Sequence, residues 1–124
     1  MRLLLDTHIL LWWLSDDAKL SPTLRSTIAD GNNRVHFSAV SIAEISIKQS
    51  QGKLEAPDDL SSLLAEEGMT ELALTARHAA ALLHLPRHHR DPFDRMLVAQ
   101  AQVEQLSLAS ADAAMRNYDV VILS

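Results

Sequence analysis

The chain starts with a short apolar run that ends in a carboxylate. Leu3, Leu4 and Leu5 follow one another without a polar residue between them, and Asp6 comes next. A short continuous apolar run is typical of a strand buried on both faces, as in a parallel sheet. Asp6 has no packing reason to stand there, because an unpaired charge is costly to bury. The sequence therefore predicts a buried strand with a functional carboxylate at its carboxyl end, where open α/β sheets bind ligands.

Apolar runs and helical segments alternate along the rest of the chain. Further strands are predicted at residues 35–38, 69–74, 106–109 and 120–123. Ser21-Pro22, Thr75 and Asp91-Pro92 are typical helix starts, since they combine a capping side chain with a first helical turn. Strands that alternate with helices favour a parallel sheet covered on both faces. We expect a single α/β domain over residues 1–124, a three-layer α/β/α sandwich around a central parallel sheet of about five strands.

Composition narrows the class of protein. The 124 residues include no cysteine, which excludes disulfides and thiolate metal sites. No apolar run approaches the roughly 20 residues that a membrane helix needs, and no export signal is evident. We therefore expect no membrane association and a cytoplasmic location. The formal net charge of −5 argues against indiscriminate binding to nucleic acids, which favours basic surfaces.

Four acids fall where predicted strands end or predicted helices begin. Asp6 follows the first strand, and Asp112 follows the fourth. Glu44 falls in the first turn of a helix predicted over residues 41–51, and Asp94 falls in the first turn of the long helix that starts at Asp91-Pro92. In a parallel sheet these junctions lie on one rim, so we expect the four carboxylates to converge.

Converging carboxylates repel one another unless a cation lies among them. Mg²⁺ or Mn²⁺ suits a site of oxygen ligands, and such sites catalyse phosphoryl chemistry through a metal-activated water. The alternative for each acid is a structural one. Asp91 fits the role of a helix N-cap, and Glu44 could pair with Lys48 one turn later.

Four segments of the chain resemble PIN-domain proteins, and in particular the VapC-type toxins of bacterial type II toxin–antitoxin modules. The segments, in the order of the family's motifs, are Leu3–His8 (LLLDTH), Ser38–Ile45 (SAVSIAEI), Asp91–Ala101 (DPFDRMLVAQA) and Ser110–Asp112 (SAD). The resemblance covers nearly the whole chain. The fourth segment departs from the commoner Thr-x-Asp form, but Ser110 keeps the hydroxyl.

The resemblance implies a Mg²⁺-dependent endoribonuclease, with Mn²⁺ as a substitute, that cleaves RNA. It assigns catalysis and metal binding to Asp6, Glu44, Asp94 and Asp112. Supporting roles would fall to three further residues, Thr7, Asp91 and Ser110. It also implies a homodimer held inactive by a cognate VapB-like antitoxin, whose tail would cover the acidic pocket.

Basic residues cluster just before the long helix. Arg87, Arg90 and Arg95 lie in or next to a predicted polar loop over residues 84–90. We expect this loop to lie beside the acidic rim, where its arginines could contact RNA phosphates. A zinc site at His88 and His89 is an alternative, but the two neighbours point in different directions in most backbones and no cysteine completes a ligand set.

Two other functions fit the same residues. The chain could be a non-enzymatic PIN-like binding module, in which the acids only cap helices or bind the basic tail of a partner. It could also be a structure-specific DNA nuclease. The sequence does not identify the RNA that would be cut or the number of metal ions.

Overall fold

The fold is built on a five-stranded sheet in which all strands are parallel. The computed structural model describes residues 1–124, and the strand order in the sheet is β3-β2-β1-β4-β5. The strands are β1 (Arg2–Leu5), β2 (Arg34–Ser38), β3 (Thr70–Leu72), β4 (Ser107–Ala109) and β5 (Ile122–Leu123). The predicted central parallel sheet of about five strands is confirmed.

Six α-helices cover the sheet. They are α1 (Thr7–Leu14), α2 (Pro22–Ala29), α3 (Ala39–Ser50), α4 (Leu60–Glu66), α5 (Ala76–Ala81) and α6 (Pro92–Glu104). Two short 3₁₀ helices, Leu82–His84 and Ala113–Asn117, follow α5 and β4. The predicted capping residues Ser21 and Asp91 each accept a backbone N–H in the first turn of their helix, and Thr75 does so in a capping box. None of the helices combines the length and the hydrophobicity needed to cross a membrane.

The central strand β1 faces a hydrophobic core on each side. Leu3, Leu4 and Leu5 have no solvent-exposed surface. Leu3 and Leu5 belong to a core formed mainly with α1, α2 and α4, whereas Leu4 belongs to a second core formed mainly with α6. Side chains on a strand alternate between the two faces, so an unbroken leucine run supplies both cores and produces the three layers.

The start of α3 differs from the prediction. The helix begins at Ala39 and not at Ser41, because the Ser38 hydroxyl accepts the backbone N–H of Val40 at 2.9 Å and caps it. Glu44 therefore lies in the second turn of α3, not in the first. The third and fifth strands are also shorter than predicted, because only Thr70–Leu72 and Ile122–Leu123 pair with a neighbouring strand.

His36 gives the fold a dependence on pH. Its side chain lies in the sheet interior on β2, 7% exposed, with Nδ1 3.2 Å from the carbonyl oxygen of Leu3. Burial lowers the pKa of His36 below its ordinary value of 6.5. The native state then resists protonation more than the unfolded chain does, so unfolding takes up a proton as the pH falls below that value.

We predict that protonation of His36 lowers the free energy of unfolding between pH 7.5 and pH 5.5, so that over this range the value falls less, or rises more, in His36→Gln than in the wild type. Glutamine does not titrate, and its amide can still donate to the Leu3 carbonyl. Urea unfolding at several pH values measures the effect. His84→Gln, at an exposed histidine, is the matched control. An identical slope in wild type and His36→Gln would contradict the assignment.

Candidate metal centre

Asp6 lies at the carboxyl end of β1 and begins α1. Its Oδ1 accepts the backbone N–H of Ile9 at 2.9 Å, so the carboxylate is the N-cap of the helix. The residue is only 3% exposed. Burial raises the pKa of Asp6 and a nearby Asp112 adds to this effect, while the Ser110 hydroxyl, the Ile9 N–H and His8 oppose it. Asp6 is therefore a buried acid close to a second carboxylate.

Glu44 is a buried acid paired with an exposed base. Its residue is 4% exposed, and its Oε2 accepts a hydrogen bond from Nζ of Lys48 at 2.7 Å. The bond to Glu44 raises the pKa of Lys48, and the charges of Asp91 and Asp94 raise it further. The pair that the sequence offered as a structural alternative is present, but it faces the other acids and not only the solvent.

Asp94 is a partly buried acid whose pKa is raised, in part by the charges of nearby acids. Burial and the charges of Asp91, Asp6 and Glu44 raise its pKa from 3.8 to about 6, against an opposing effect of His89. Asp91 is the N-cap of α6, as predicted, since its Oδ1 accepts the N–H groups of Phe93 at 2.8 Å and Asp94 at 3.3 Å. Four acids thus act on one another at the start of α6.

Asp112 and Asp94 both lie within 3.3 Å of the same ring nitrogen of His89. Oδ1 of Asp112 accepts the N–H of Ala114 at 3.0 Å, and Oδ2 is 2.7 Å from Nε2 of His89. The same Nε2 is 3.3 Å from Oδ2 of Asp94. Burial alone would raise the pKa of Asp112, but the Ala114 N–H and His89 outweigh it and lower the pKa.

The structure therefore groups the predicted acids unequally. One potential ligand atom from each of His89, Asp94 and Asp112 lies within 4.8 Å of the others. Asp6 and Glu44 are outside this tight group and reach Asp94 through their charges. Asp6 also lines a cavity of about 250 Å³ together with Asp112, His8 and residues Trp12 and Ala111.

His89 was missed as a site residue by reasoning from the sequence. The sequence signal is its spacing, two residues before the N-cap of α6, which places its ring beside the first helical turn. Its ring Nδ1 accepts the backbone N–H of Asp91 at 3.0 Å. The backbone N–H of His89 donates to the hydroxyl of Tyr118 at 2.9 Å. The loop backbone thus aims the ring at Asp94 and Asp112.

Uncharged hydrogen bonds fix the helices that carry the acids. The hydroxyls of Thr7 and Ser41 are 2.9 Å apart and share a buried hydrogen bond between α1 and α3. The Ser38 hydroxyl donates to Oε1 of Gln100 at 2.5 Å and ties the start of α3 to α6. Ser110 accepts the backbone N–H of Asp112 at 3.1 Å.

The basic loop lies beside the acidic group. Arg87 and Arg90 are exposed and line a cleft of about 440 Å³ together with His89 and Arg95. The guanidinium of Arg95 donates to the carbonyl oxygens of Pro86 at 2.9 Å and Leu85 at 3.3 Å. Arg95 therefore anchors the loop in addition to lining the cleft.

The comparisons with known proteins agree with this arrangement. The PIN domain family model matches residues 3–121. The chain belongs to the PIN-domain family. No curated protein sequence matches it significantly.

Solved structures with the same fold come from toxin–antitoxin complexes. VapBC2 from Rickettsia felis, bound to a DNA fragment from its promoter, has a TM-score of 0.71 at 15% identity, over 99% of this chain and 98% of the other. FitAcB from Neisseria gonorrhoeae has a TM-score of 0.60 at 20% identity, over 100% and 97%. A toxin–antitoxin complex from Klebsiella pneumoniae has a TM-score of 0.66 at 15% identity, over 98% and 96%. These likenesses establish that this PIN domain has the three-layer fold predicted from the sequence.

The residues of this PIN domain fit a hard divalent cation. The donor set consists of carboxylates, which Mg²⁺ and Mn²⁺ favour. The helix caps at Asp6 and Asp91 use Oδ1 of each residue, so a second carboxylate oxygen remains on each side chain. Burial, and then repulsion from the charges of Asp91, Asp6 and Glu44, raise the pKa of Asp94, so its ionised form is unfavourable here without a cation. A cation among these carboxylates would relieve that repulsion.

We predict that Asp94→Asn stabilises the metal-free protein at pH 8 by about 1–3 kcal/mol. The folded-state pKa of about 6 exceeds the ordinary value of 3.8. Ionised Asp94 therefore destabilises the native state fully above pH 6, and this cost disappears as the pH falls to about 4. Urea unfolding in the presence of a chelator measures the difference between the two proteins.

Asp58→Asn, at an exposed acid before α4, is the control. Its free energy of unfolding should equal that of the wild type at each pH. Saturating Mn²⁺ should reverse the order of the wild type and Asp94→Asn, since a ligand that binds only the native state stabilises it. Equal stability of the two proteins at pH 8 without metal would contradict the proposed crowding of charge.

Proposed function

We propose that this PIN domain is a divalent-metal-dependent endoribonuclease and the toxin of a type II toxin–antitoxin module. The observation that carries the proposal is the electrostatic convergence of Asp6, Glu44 and Asp91 on Asp94, with Asp112 joined to Asp94 through His89. A fold maintained only by helix caps would not need to bury Asp94 next to the charges of three other acids. Membership of the PIN family and the shared fold with toxin–antitoxin complexes support the same function.

Asp6, Glu44, Asp94 and Asp112 would hold Mg²⁺, or Mn²⁺ in its place. The ion would supply an activated water and neutralise charge on the scissile phosphate. The chain's own residues prepare the site. Lys48 fixes the Glu44 carboxylate at 2.7 Å, and the caps at Asp6 and Asp112 fix the orientation of those two side chains. Such preorganised ligands need little rearrangement before the reaction.

RNA would approach from the side of the basic cleft. The overall charge of −5 repels a polyanion, so binding depends on local positive charge next to the acids. The exposed Arg87 and Arg90 supply that charge within the cleft that also includes His89. Phosphates held there would place the neighbouring backbone at the carboxylate rim.

We predict that Asp6→Asn reduces RNA cleavage by about a hundredfold or more, because a neutral amide cannot replace a metal-binding carboxylate. The Asn side-chain oxygen can still accept the Ile9 N–H, so the cap on α1 and the fold survive. Cleavage of total cellular RNA in Mn²⁺ and growth inhibition on induction measure the loss. Circular dichroism checks the fold.

Asp58→Asn should cleave RNA at the wild-type rate. Full activity and full toxicity of Asp6→Asn would contradict the metal site. The same assay tests the two alternatives. Single-stranded and branched DNA substrates test for a DNA nuclease. A wild type that shows no Mn²⁺ binding by calorimetry would favour a non-enzymatic binding module, whose acids serve only as helix caps.

We predict that replacing Arg87 and Arg90 together by glutamine weakens RNA binding and reduces its dependence on salt. The logarithm of the binding constant falls linearly with the logarithm of the salt concentration. Each lost phosphate contact to single-stranded RNA makes this slope less steep by about 0.7. The Asp6→Asn background prevents cleavage during fluorescence titrations. Arg34→Gln, at the amino end of β2 on the opposite rim of the sheet, is the control. An unchanged slope in the double variant would place the RNA elsewhere.

We also propose a cognate VapB-like antitoxin and a homodimer for this chain. The relatives of similar fold are toxin–antitoxin complexes, and a basic antitoxin tail would be attracted to the acidic rim. Coexpression with the product of a small adjacent reading frame tests the first proposal, since the partner should co-purify and suppress cleavage. Light scattering of the isolated chain tests the second.

A further inference from the structure

His89 lies where the acidic group meets the basic cleft, and both of its ring nitrogens have partners. Nε2 is 2.7 Å from Oδ2 of Asp112 and 3.3 Å from Oδ2 of Asp94. Nδ1 is 3.0 Å from the backbone nitrogen of Asp91. The ring is therefore part of a defined bridge and is not a free side chain of an exposed loop.

The bond from Asp91 fixes which ring nitrogen carries the proton. The backbone N–H of Asp91 can only donate, so Nδ1 of His89 has to present its lone pair. The proton of the imidazole is then on Nε2, which donates it to Oδ2 of Asp112, with Oδ2 of Asp94 close by at 3.3 Å. A nitrogen that carries a proton has no lone pair for a metal ion. In this geometry Nε2 of His89 is a hydrogen-bond donor and not a metal ligand, although it lies within ligand distance of Asp94 and Asp112.

We propose that His89 is a positioning residue that occupies the place of the divalent cation, because its Nε2–H holds Asp112 beside Asp94 in the metal-free protein and gives way when the ion binds. This inference rests on the proposed function, since it concerns the same metal centre. The Asp112 oxygen that accepts the Nε2–H would be a ligand of the ion. The two arrangements therefore exclude each other, and the ring would turn toward the cleft lined by Arg87 and Arg90.

Competition between His89 and the ion predicts that loss of the histidine increases the affinity for the metal. If His89 competes with the ion, removing its Nε2–H strengthens metal binding. If His89 is a ligand, removing it weakens binding. If it only supports the loop, affinity does not change. The three roles are thus separated by one measurement.

Substitution of His89 by asparagine or by glutamine tests its two ring nitrogens separately. Asparagine places its Oδ1 near the position of Nδ1, so His89→Asn keeps an acceptor for the Asp91 N–H but is too short to reach the carboxylates. Glutamine places its amide nitrogen near the position of Nε2, so His89→Gln keeps the donor to Asp112. His88→Asn is the control, because the ring of His88 packs edge-on against Tyr118 at 5.0 Å and takes no part in the bridge.

The metal-free full-length protein is titrated with Mn²⁺ in a calorimeter. His89→Asn should bind Mn²⁺ about tenfold more tightly than the wild type, because one hydrogen bond to a charged group contributes a free energy of about that size. His89→Gln and His88→Asn should bind within about twofold of the wild type on that scale. The metal-free melting temperature of His89→Asn should fall, since Asp112 loses its ring N–H donor. Weaker or unchanged Mn²⁺ binding by His89→Asn would overturn the inference.

Nuclear magnetic resonance of the imidazole nitrogens gives an independent readout. The metal-free wild type should show His89 protonated at Nε2, and diamagnetic Mg²⁺ should shift that resonance as the bridge opens. A proton on Nδ1, or an Nε2 resonance unaffected by saturating Mg²⁺, would also overturn the inference. If neither the wild type nor any variant binds Mn²⁺ or Mg²⁺, the proposed function fails and this inference fails with it. If all bind equally well, only this inference fails.

Discussion

The structure depends on one constraint, the position of β1 in the middle of an all-parallel sheet. β1 pairs with β2 on one side and with β4 on the other, so the chain segments that follow these three strands emerge at one rim. Leu3, Leu4 and Leu5 are fully buried, and each contributes about 1.5–3 kcal/mol. That burial fixes Asp6 at the rim, because the strand cannot slide without exposing leucine or moving the other acids.

Charge at this rim is balanced only in part. Lys48 faces Glu44, His89 faces Asp112 and Asp94, and backbone N–H groups at helix starts face Asp6 and Asp91. With these partners the pKa of Asp94 is still about 6, because burial and then repulsion from Asp91, Asp6 and Glu44 disfavour its ionised form in the metal-free protein. A site that binds a divalent cation benefits from this imbalance, since relief of the repulsion contributes to the affinity for the ion.

Much of this architecture was predictable from the sequence, because the signals were local. The unbroken leucine run indicated a doubly buried strand, and Asp91-Pro92 indicated the start of α6. The start of α3 was not predictable in the same way. Ser38 caps the helix and also donates to Gln100, a residue 62 positions away, so the boundary depends on a tertiary contact. Signals of that kind appear only once the helices are packed.

The role of His89 depended on tertiary structure for the same reason. The spacing of His89 from the N-cap of α6 is a local signal, but with His88 next to it this spacing does not decide which of the two rings turns inward. Two tertiary contacts orient the loop. The Tyr118 hydroxyl accepts the backbone N–H of His89, and the Arg95 guanidinium donates to the carbonyl oxygen of Pro86. Tyr118 follows β4 in sequence, and no local pattern links it to the loop before α6.

Repelling carboxylates cannot hold themselves together, so other contacts have to set their spacing. The bond between Thr7 and Ser41 joins α1 to α3, and the bond between Ser38 and Gln100 joins α3 to α6. Buried uncharged hydrogen bonds of this kind persist whether or not the acids are ionised. The contacts that set the spacing of the rim are thus separate from its charge, and we therefore expect the fold to survive neutralisation of a single acid there. The proposed metal centre, with residues from α1, α3, α6 and the segment at Asp112, would need this separation, because an ion would have to enter a site that already exists.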